Sequence, residues 1–200
     1  MLGGFTRLVA DRQGATVVEF ALIMPPFLLT LIGLLDMTHN MYTAQMLKGA
    51  VQKAARDSTI EGAQSNWQNL DAKVTAAVRA ISPGASLRFK RSAYREFSNI
   101  GRPENWTDLN RDGRCNNGEP YEDLNGNGKW DKRPGTTGLG GAGDAVLYTV
   151  TISYTRLFPI TALIPGQSST MQMQTVTVLR NQPYSANGQQ PDSPPTGNCR

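Results

Sequence analysis

The most constraining feature of the sequence is an apolar run of 21 residues, 15–35, in which Glu19 is the only ionisable side chain. At about 1.5 Å rise per residue, a helix of this length spans about 30 Å, the hydrocarbon thickness of a bilayer. The run is apolar on all faces whereas the rest of the chain is polar. This favours a membrane helix over the alternative, a buried helix of a soluble domain.

The charges that flank the run predict its orientation. Arg7 and Arg12 precede it, and the first Lys or Arg after it is Lys48. Because positive charge is retained on the cytoplasmic side, we expect a cytoplasmic leader over 1–14 and a single membrane pass, with the C-terminal domain outside. In a secretory signal the small residue follows the apolar core, but here Gly14 precedes it, so cleavage there would leave the helix on the mature protein.

Glu19 poses an energetic problem, because a charge inside a membrane costs about 2.5–3.5 kcal/mol on insertion scales. One interpretation is that its side chain snorkels to the interface or is protonated. The other is that cleavage after Gly14 leaves a free amine on Ala15, within a helical turn of Glu19. The amine of one subunit would then pair with the carboxylate of a neighbour, and the burial cost would be offset only in an assembly.

The segment RQGATVVEFALIMPPFLLTLIGLLD resembles the N-terminus of the TadE-like family, the pseudopilins of tight-adherence (Tad) pilus systems. Gly14, Ala15 and Glu19 resemble the site cut by prepilin peptidases, with Phe20 where major pilins of these systems usually have tyrosine. The resemblance implies an inner-membrane pseudopilin or minor pilin with a periplasmic domain that can enter the extracellular pilus. It implies three partners: other pilin subunits, prepilin peptidase and the pilus assembly platform. A weaker similarity lies in YTRLFPITALIPG, 154–166.

The rest of the sequence predicts an α+β fold. Apolar residues at spacings of three and four extend the first helix over 15–58, and WQNLDAKVTAAVRAI predicts a second helix from Trp67. A pilin-like domain with a small antiparallel sheet is expected over 59–181. The Pro- and Gly-rich tail over 182–200 is expected to be flexible unless Cys199 holds it.

Alternating apolar residues predict the strands of that sheet in three segments: 85–94, 144–158 and 168–180. In the second segment Val146, Tyr148 and Val150 share one face. In the third, the phase slips between Met173 and Val176, which indicates either a bulge or an error in the assumed register.

The sharpest chemical motif is a long loop, DLNRDGRCNNGEPYEDLNGNGKWD, 108–131. Its first twelve residues match the calcium-loop pattern D-x-[DN]-x-[DN]-G-x5-E, which turns carboxylate, amide and main-chain oxygens toward one point. The predicted ligands are Asp108, Asn110, Asp112, the carbonyl of Arg114 and Glu119, with Asn116 at the ninth position acting directly or through water.

The pattern recurs in part and predicts a second Ca²⁺ site from Asp123, Asn125, Asn127, the carbonyl of Lys129 and Asp131. Its twelfth position is Pro134, so an oxygen must come from elsewhere, with Asp131, Glu122 or Glu119 as candidates. The alternative is a solvated Asn- and Gly-rich loop. Against it, 100–143 shows no regular element, and so long a structureless stretch is unusual unless an ion orders it.

Other features narrow the function. Cys115 and Cys199 form one bridge in an oxidising compartment or remain free. The single histidine, His39, has no nucleophile motif around it, so we expect no enzyme activity, with a membrane-tethered hydrolase as a remote alternative. Lys and Arg are scattered, which excludes a typical nucleic-acid partner. The main alternative is a permanently membrane-anchored, calcium-dependent adhesion or binding module.

Overall fold

The computed structural model describes five ranges of the chain: 13–58, 67–141, 143–158, 160–181 and 193–200. The chain forms two compact units. The first comprises Met1–Tyr42 and Thr155–Met171, and the second comprises Thr43–Tyr154 and Gln172–Arg200.

Helices and antiparallel strands together give an α+β fold. The helices in the described ranges are α1 (Gln13–Ser58), α2 (Trp67–Arg79) and the short α3 (Ile160–Leu163). The strands there are β1 (Ser86–Tyr94), β2 (Pro120–Glu122), β3 (Thr136–Thr137), β4 (Ala145–Thr155), β5 (Thr170–Arg180) and β6 (Thr196–Asn198). A single 3-10 turn, Phe97–Asn99, follows β1.

The long first helix confirms the sequence prediction for 15–58. It continues through Pro25 and Pro26 without interruption. Its C-terminal part contributes Leu47, Val51, Ala54 and Ala55 to the core of the second unit. These residues follow one another at helical spacing, which explains why a single stripe is buried there while the opposite face stays in solvent.

The main sheet has the strand order β3-β1-β4-β5, and β1 pairs antiparallel with β4 so that Phe89 lies opposite Val150. One face of β4 is buried, as its alternation predicts: Val146, Tyr148, Val150 and Ile152 are each at most 2% exposed. The amphipathic α2 adds Leu70, Val74 and Val78 to the buried set. A second sheet pairs β2 with β6.

A buried ion pair joins α2 to the main sheet. Arg91 of β1 donates to both carboxylate oxygens of Asp71, and Tyr148 donates its hydroxyl to the same carboxylate at 2.6 Å. The guanidinium also lies over the ring of Tyr148, 4.5 Å from its centroid, and over that of Trp67 at 5.3 Å. Burial, followed by the bond to Asp71, raises the pKa of Tyr148.

Two expectations from the sequence need correction. Strand β5 is continuous, its alternate residues remain in phase, and Val176 is 49% exposed, so the slip after Met173 was an error of register and not a bulge. The segment 100–143 does contain regular elements, since β2 and β3 lie within it and Trp106 forms a bridge with Tyr121. Three-residue strands among Pro and Gly leave too little alternation to be recognised in sequence.

Candidate functional site

The N-terminal part of α1 exposes an extended apolar surface. An 18-residue window has a mean hydropathy of 2.1, and no part of it is buried against the rest of the chain. Val17 and Leu22 are 68% and 78% exposed. By length and composition this helix can cross a membrane once. Because exposed apolar area is unfavourable in water, at about 25 cal/mol per Å², such a surface is expected to be covered by lipid or by other helices.

The residues of the predicted processing site lie at the start of this helix. Gly14 and Ala15 are in its first turns, and the side chains of Glu19 and Phe20 are exposed. Glu19 is therefore exposed on the same helix as the apolar surface. Cleavage after Gly14 stays a prediction.

Asp36 closes the apolar run and is buried, with 3% of its surface exposed. Its carboxylate accepts hydrogen bonds from Arg156 and, at 2.9 Å, from the amide of Asn40. Arg156 also donates through Nε to the carbonyl of Ser168 at 3.0 Å. This pair was missed from the sequence, although an acidic residue directly after an apolar run and an arginine in the weakly family-like segment 154–166 are both visible there.

The first predicted calcium loop is folded around the side chain of Asp108. That carboxylate accepts hydrogen bonds from the N–H groups of Asp112, at 3.1 Å, and Gly113, at 2.9 Å. The third, fifth and ninth positions converge, because the amides of Asn110 and Asn116 donate to Asp112 Oδ2 at 3.2 and 2.7 Å. The bond from Asn116 is the main reason that the pKa of Asp112 is lowered.

The carboxylate of Glu119, the predicted last ligand, is hydrogen-bonded to the backbone of this loop. It is 1% exposed and accepts hydrogen bonds from the N–H groups of Leu109, at 2.9 Å, and Asn116, at 3.2 Å. Arg114, predicted to offer its carbonyl, donates its own N–H to Asp112 Oδ1 at 2.8 Å. The side chains of the predicted ligands of the first site therefore belong to one hydrogen-bonded loop, and their binding of calcium stays a prediction.

The second loop repeats this arrangement around Asp123, which is 5% exposed. Its carboxylate accepts a hydrogen bond from Asn127 N at 3.1 Å. The amides of Asn125 and Asn127 donate to Asp131 Oδ2 at 2.7 and 2.6 Å, so the third, fifth and ninth positions converge again. Lys129 N donates to Asn127 Oδ1 at 2.7 Å.

The acid that reaches the second loop is one that sequence reasoning missed. Glu122 accepts a hydrogen bond from the amide of Asn105 at 2.9 Å, and Glu119 accepts one from Leu109 N of the first loop at 2.9 Å. Instead Glu104, 1% exposed, accepts hydrogen bonds from Leu124 N and Asp131 N, both at 2.8 Å. Burial raises the pKa of Glu104, the two N–H donors lower it, and the nearby charges of Asp123 and Asp131 raise it.

The C-terminal residues pack against both loops. Cys115 and Cys199 form a disulfide bond, one of the two states that the sequence left open. Strand β6 places Gly197 opposite Tyr121, and Cys199 N donates to Glu119 O at 2.8 Å. The exception made in the sequence analysis therefore applies to 193–200, which Cys199 holds in place, while 182–192 lies outside the described residues.

The chemical types of the potential ligand atoms indicate which metal the two loops could bind. Within the described ranges, no group of three or more His, Cys, Asp and Glu side chains is arranged to hold a metal ion. The side chains that do converge are a mixture of carboxylates and amides. Calcium accepts amide and main-chain carbonyl oxygens as well as carboxylates, whereas zinc and other transition metals prefer nitrogen and sulfur. The residues present therefore fit calcium better than a transition metal.

Comparison with known proteins gives one match. The family model described as TadE-like protein matches residues 14–56, which is most of α1 and less than half of the chain. No curated protein and no solved structure matches. The chain is thus similar to TadE-like proteins in its membrane-compatible helix, as the resemblance in the sequence indicated.

Proposed function

We propose that this chain is a TadE-like minor pilin or pseudopilin, an inner-membrane-anchored structural subunit of Tad pilus assembly with a calcium-stabilised outer domain. The proposal rests on the observation that the family match and the exposed apolar surface occur in the same helix. The TadE-like match over 14–56 falls on α1, and the N-terminal part of that helix is apolar and uncovered. An uncovered apolar helix suits a pilus subunit. Lipid would cover the helix while the subunit is in the membrane, and the helices of neighbouring subunits would cover it in the filament.

The proposed topology places the N-terminus in the cytoplasm and the α+β region in the periplasm or on the pilus. Arg7 and Arg12 on one side of the apolar run, with no Lys or Arg on the other until Lys48, support this orientation. Prepilin peptidase would cut after Gly14. The partners would be other pilin subunits and the assembly platform, and the role would be structural instead of catalytic.

Glu19 is the proposed assembly group. Its exposure on the apolar surface supports pairing between its carboxylate and the new amine of Ala15 in a neighbouring subunit. In an apolar environment such a pair would replace the solvation that each charge loses. An isolated subunit would lack this partner, so the carboxylate would favour assembly over the monomer.

Calcium would be held first by the loop that Glu119 closes. Its oxygens would come from Asp108, Asn110, Asp112, the carbonyl of Arg114, Asn116 and Glu119. The convergence of the third, fifth and ninth positions supports this assignment. The ion would supply attraction between chain segments that have few apolar side chains to pack, and periplasmic or external calcium would suit a site of modest affinity.

The test uses a pilus-competent host that lacks this subunit and is complemented with the full chain. Sheared filaments should contain the protein, and N-terminal sequencing should begin at Ala15. Glu19→Ala should reduce incorporation strongly. Thr30→Ala is the matched control, because its exposed hydroxyl bonds only its own helix, to Pro26 O.

The outcomes separate the proposal from its alternative. A start at Met1 in a peptidase-positive host would remove the processing step. Absence from filaments, with the protein retained in the membrane and bound to surfaces only when calcium is present, would favour a permanently anchored adhesion module. Normal incorporation of Glu19→Ala would refute the pairing.

A further inference from the structure

The two loops belong to a tandem repeat that extends further than the calcium pattern. Residues 104–118 and 119–133 both begin with Glu, have an aromatic residue two positions later, and continue with Asp-Leu-Asn. Glu104 thus corresponds to Glu119, and Trp106 to Tyr121. The repeated unit includes the segment that enters each loop as well as the loop itself.

The backbones of the two loops have the same conformation. The fourth and sixth positions adopt left-handed φ angles in both, 62° at Arg111 and 74° at Gly113, against 70° at Gly126 and 72° at Gly128. Equivalent hydrogen bonds accompany these angles, because the N–H of the sixth position donates to the first carboxylate in each loop, at 2.9 Å and 2.7 Å. The structural repeat is therefore independent of the twelfth position, where the sequences differ.

Each repeat supplies the closing glutamate of the other. Glu119, from the second repeat, accepts from the N–H groups of the second and ninth positions of the first loop. Glu104, from the first repeat, accepts from the same two positions of the second loop. The main-chain hydrogen bonds follow the same exchange. Glu119 N donates to Asn116 O at 3.1 Å and Glu104 N donates to Asp131 O at 3.0 Å, and both acceptors are at the ninth position of a loop.

Antiparallel pairing between the repeats explains this exchange. Trp106 bridges Tyr121, Thr107 N donates to Pro120 O at 3.0 Å, and Glu122 N donates to Asn105 O at 2.9 Å. The two entering segments therefore run past one another in opposite directions. Each glutamate is carried to the far loop, and the arrangement is approximately two-fold symmetric about the bridge.

A separate observation concerns a buried tyrosine beside the second loop. The hydroxyl of Tyr121 has no hydrogen-bond partner among the described residues, and the side chain is 2% exposed. A buried hydroxyl without a hydrogen-bond partner is unfavourable, and Tyr121 lies two residues before Asp123, the first position of the second loop.

We propose that the chain binds two calcium ions in an exchanged pair of loops, and that Glu104 closes the second site in place of Pro134. This rests on the calcium binding proposed above and extends it. Asp123, Asn125, Asn127, the carbonyl of Lys129 and Asp131 complete the oxygen set. Each Glu104 oxygen that accepts an N–H retains a second lone pair for the ion, as does each oxygen of Glu119.

Calcium titration of the full-length chain in detergent micelles, by isothermal calorimetry, tests the proposal. Wild type should bind two ions. Glu104→Gln should weaken one site and leave the other within about threefold, and Glu119→Gln should weaken the other site. Loss of a direct ligand should cost at least as much affinity as loss of a supporting residue, about 10–100-fold. Glu122→Gln is the matched control and should retain both sites, because its carboxylate bonds Asn105.

Glu104→Asp is a second variant that controls for a folding defect, because it keeps the negative charge and only shortens the side chain. It should weaken the same single site in a chain whose circular dichroism matches wild type. One ion bound by wild type, or two bound by Glu104→Gln at unchanged affinity, would overturn the exchanged pair while the first site stands. No calcium bound by wild type would overturn both this inference and the calcium component of the proposed function.

Discussion

Arg156 donates a hydrogen bond to the carboxylate of Asp36, which lies 120 positions earlier in the chain and directly after the apolar run. Both side chains are largely buried, at 14% and 5% exposure. The pair therefore joins the segment around α3 to the first residue beyond the apolar surface of α1. Any movement of that segment requires a buried charge to lose its partner.

Arg156→Met should destabilise the unit that contains this pair. Removing one member of a buried pair leaves the other charge uncompensated, at a cost of about 3–5 kcal/mol. The loss would appear as faster hydrogen exchange at the backbone N–H of position 156, which in the wild type donates to Ser169 O at 2.9 Å. The double variant Asp36→Leu with Arg156→Met should recover much of the protection, because no unpaired charge remains. Exchange no faster than in the exposed control Arg102→Met would contradict the assignment.

Calcium should raise the thermal stability of the full chain in micelles. A site that binds only the native state contributes about 2.7 kcal/mol when free calcium is a hundred times Kd. Asp108→Asn with Asp112→Asn should remove the contribution of the first loop, as seen in the difference between Tm with calcium and Tm with chelator. Asp57→Asn, outside both loops, is the control. An identical Tm in calcium and in chelator would refute calcium stabilisation.

Reduction should loosen the C-terminal residues. The disulfide between Cys115 and Cys199 spans 84 positions of sequence, and loss of a bridge of this kind costs about 2–4 kcal/mol. Cys115→Ser with Cys199→Ser should lower the denaturant midpoint accordingly. Intact mass before and after reduction and alkylation checks the bridge itself, and free thiols in protein purified from membranes under non-reducing conditions would contradict it.

Gly197→Ala should disturb the pairing of β6 with β2. A Cβ at Gly197 would overlap the ring of Tyr121, which is packed directly against it. Overpacking of this kind costs about 1–3 kcal/mol. Gly84→Ala is a suitable control, because a Cβ there meets no atom within 4 Å. Equal Tm values for the two variants would show that the ring can move aside at little cost.

The parts of the fold that follow a strict period could be predicted from the sequence. Strand β4 alternates over its whole length, so its buried face was identified correctly, and the apolar run of α1 leaves little choice but a long helix. In β5, by contrast, Thr175 lies on the same face as Met171 and Met173. Because Thr175 is polar and Val176 is apolar, the sequence pattern assigned Val176 to the buried face. Local period alone could not resolve that register, because the neighbouring strand β4 decides it.

The candidate site was predictable only where its ligands are consecutive. The first loop was recognised as a candidate because all of its predicted ligands lie within twelve residues. Glu104 was missed because it reaches the second loop through pairing of segments that are distant in sequence. Alignment of the sequence with itself would have shown that Glu104 occupies the same position in the first repeat as Glu119 does in the second. A search for the calcium-loop motif does not detect this correspondence. The Asp36–Arg156 pair has no such local signature.

The bond between Cys115 and Cys199 has a practical consequence for anyone labelling this protein. Because Cys199 N also donates to Glu119 O, the final residues are fixed beside the first loop. A fluorophore or epitope joined to Arg200 would emerge next to that loop and obstruct whatever approaches there. A tag inserted at Gly84, an exposed position whose surroundings are open, would leave that face accessible.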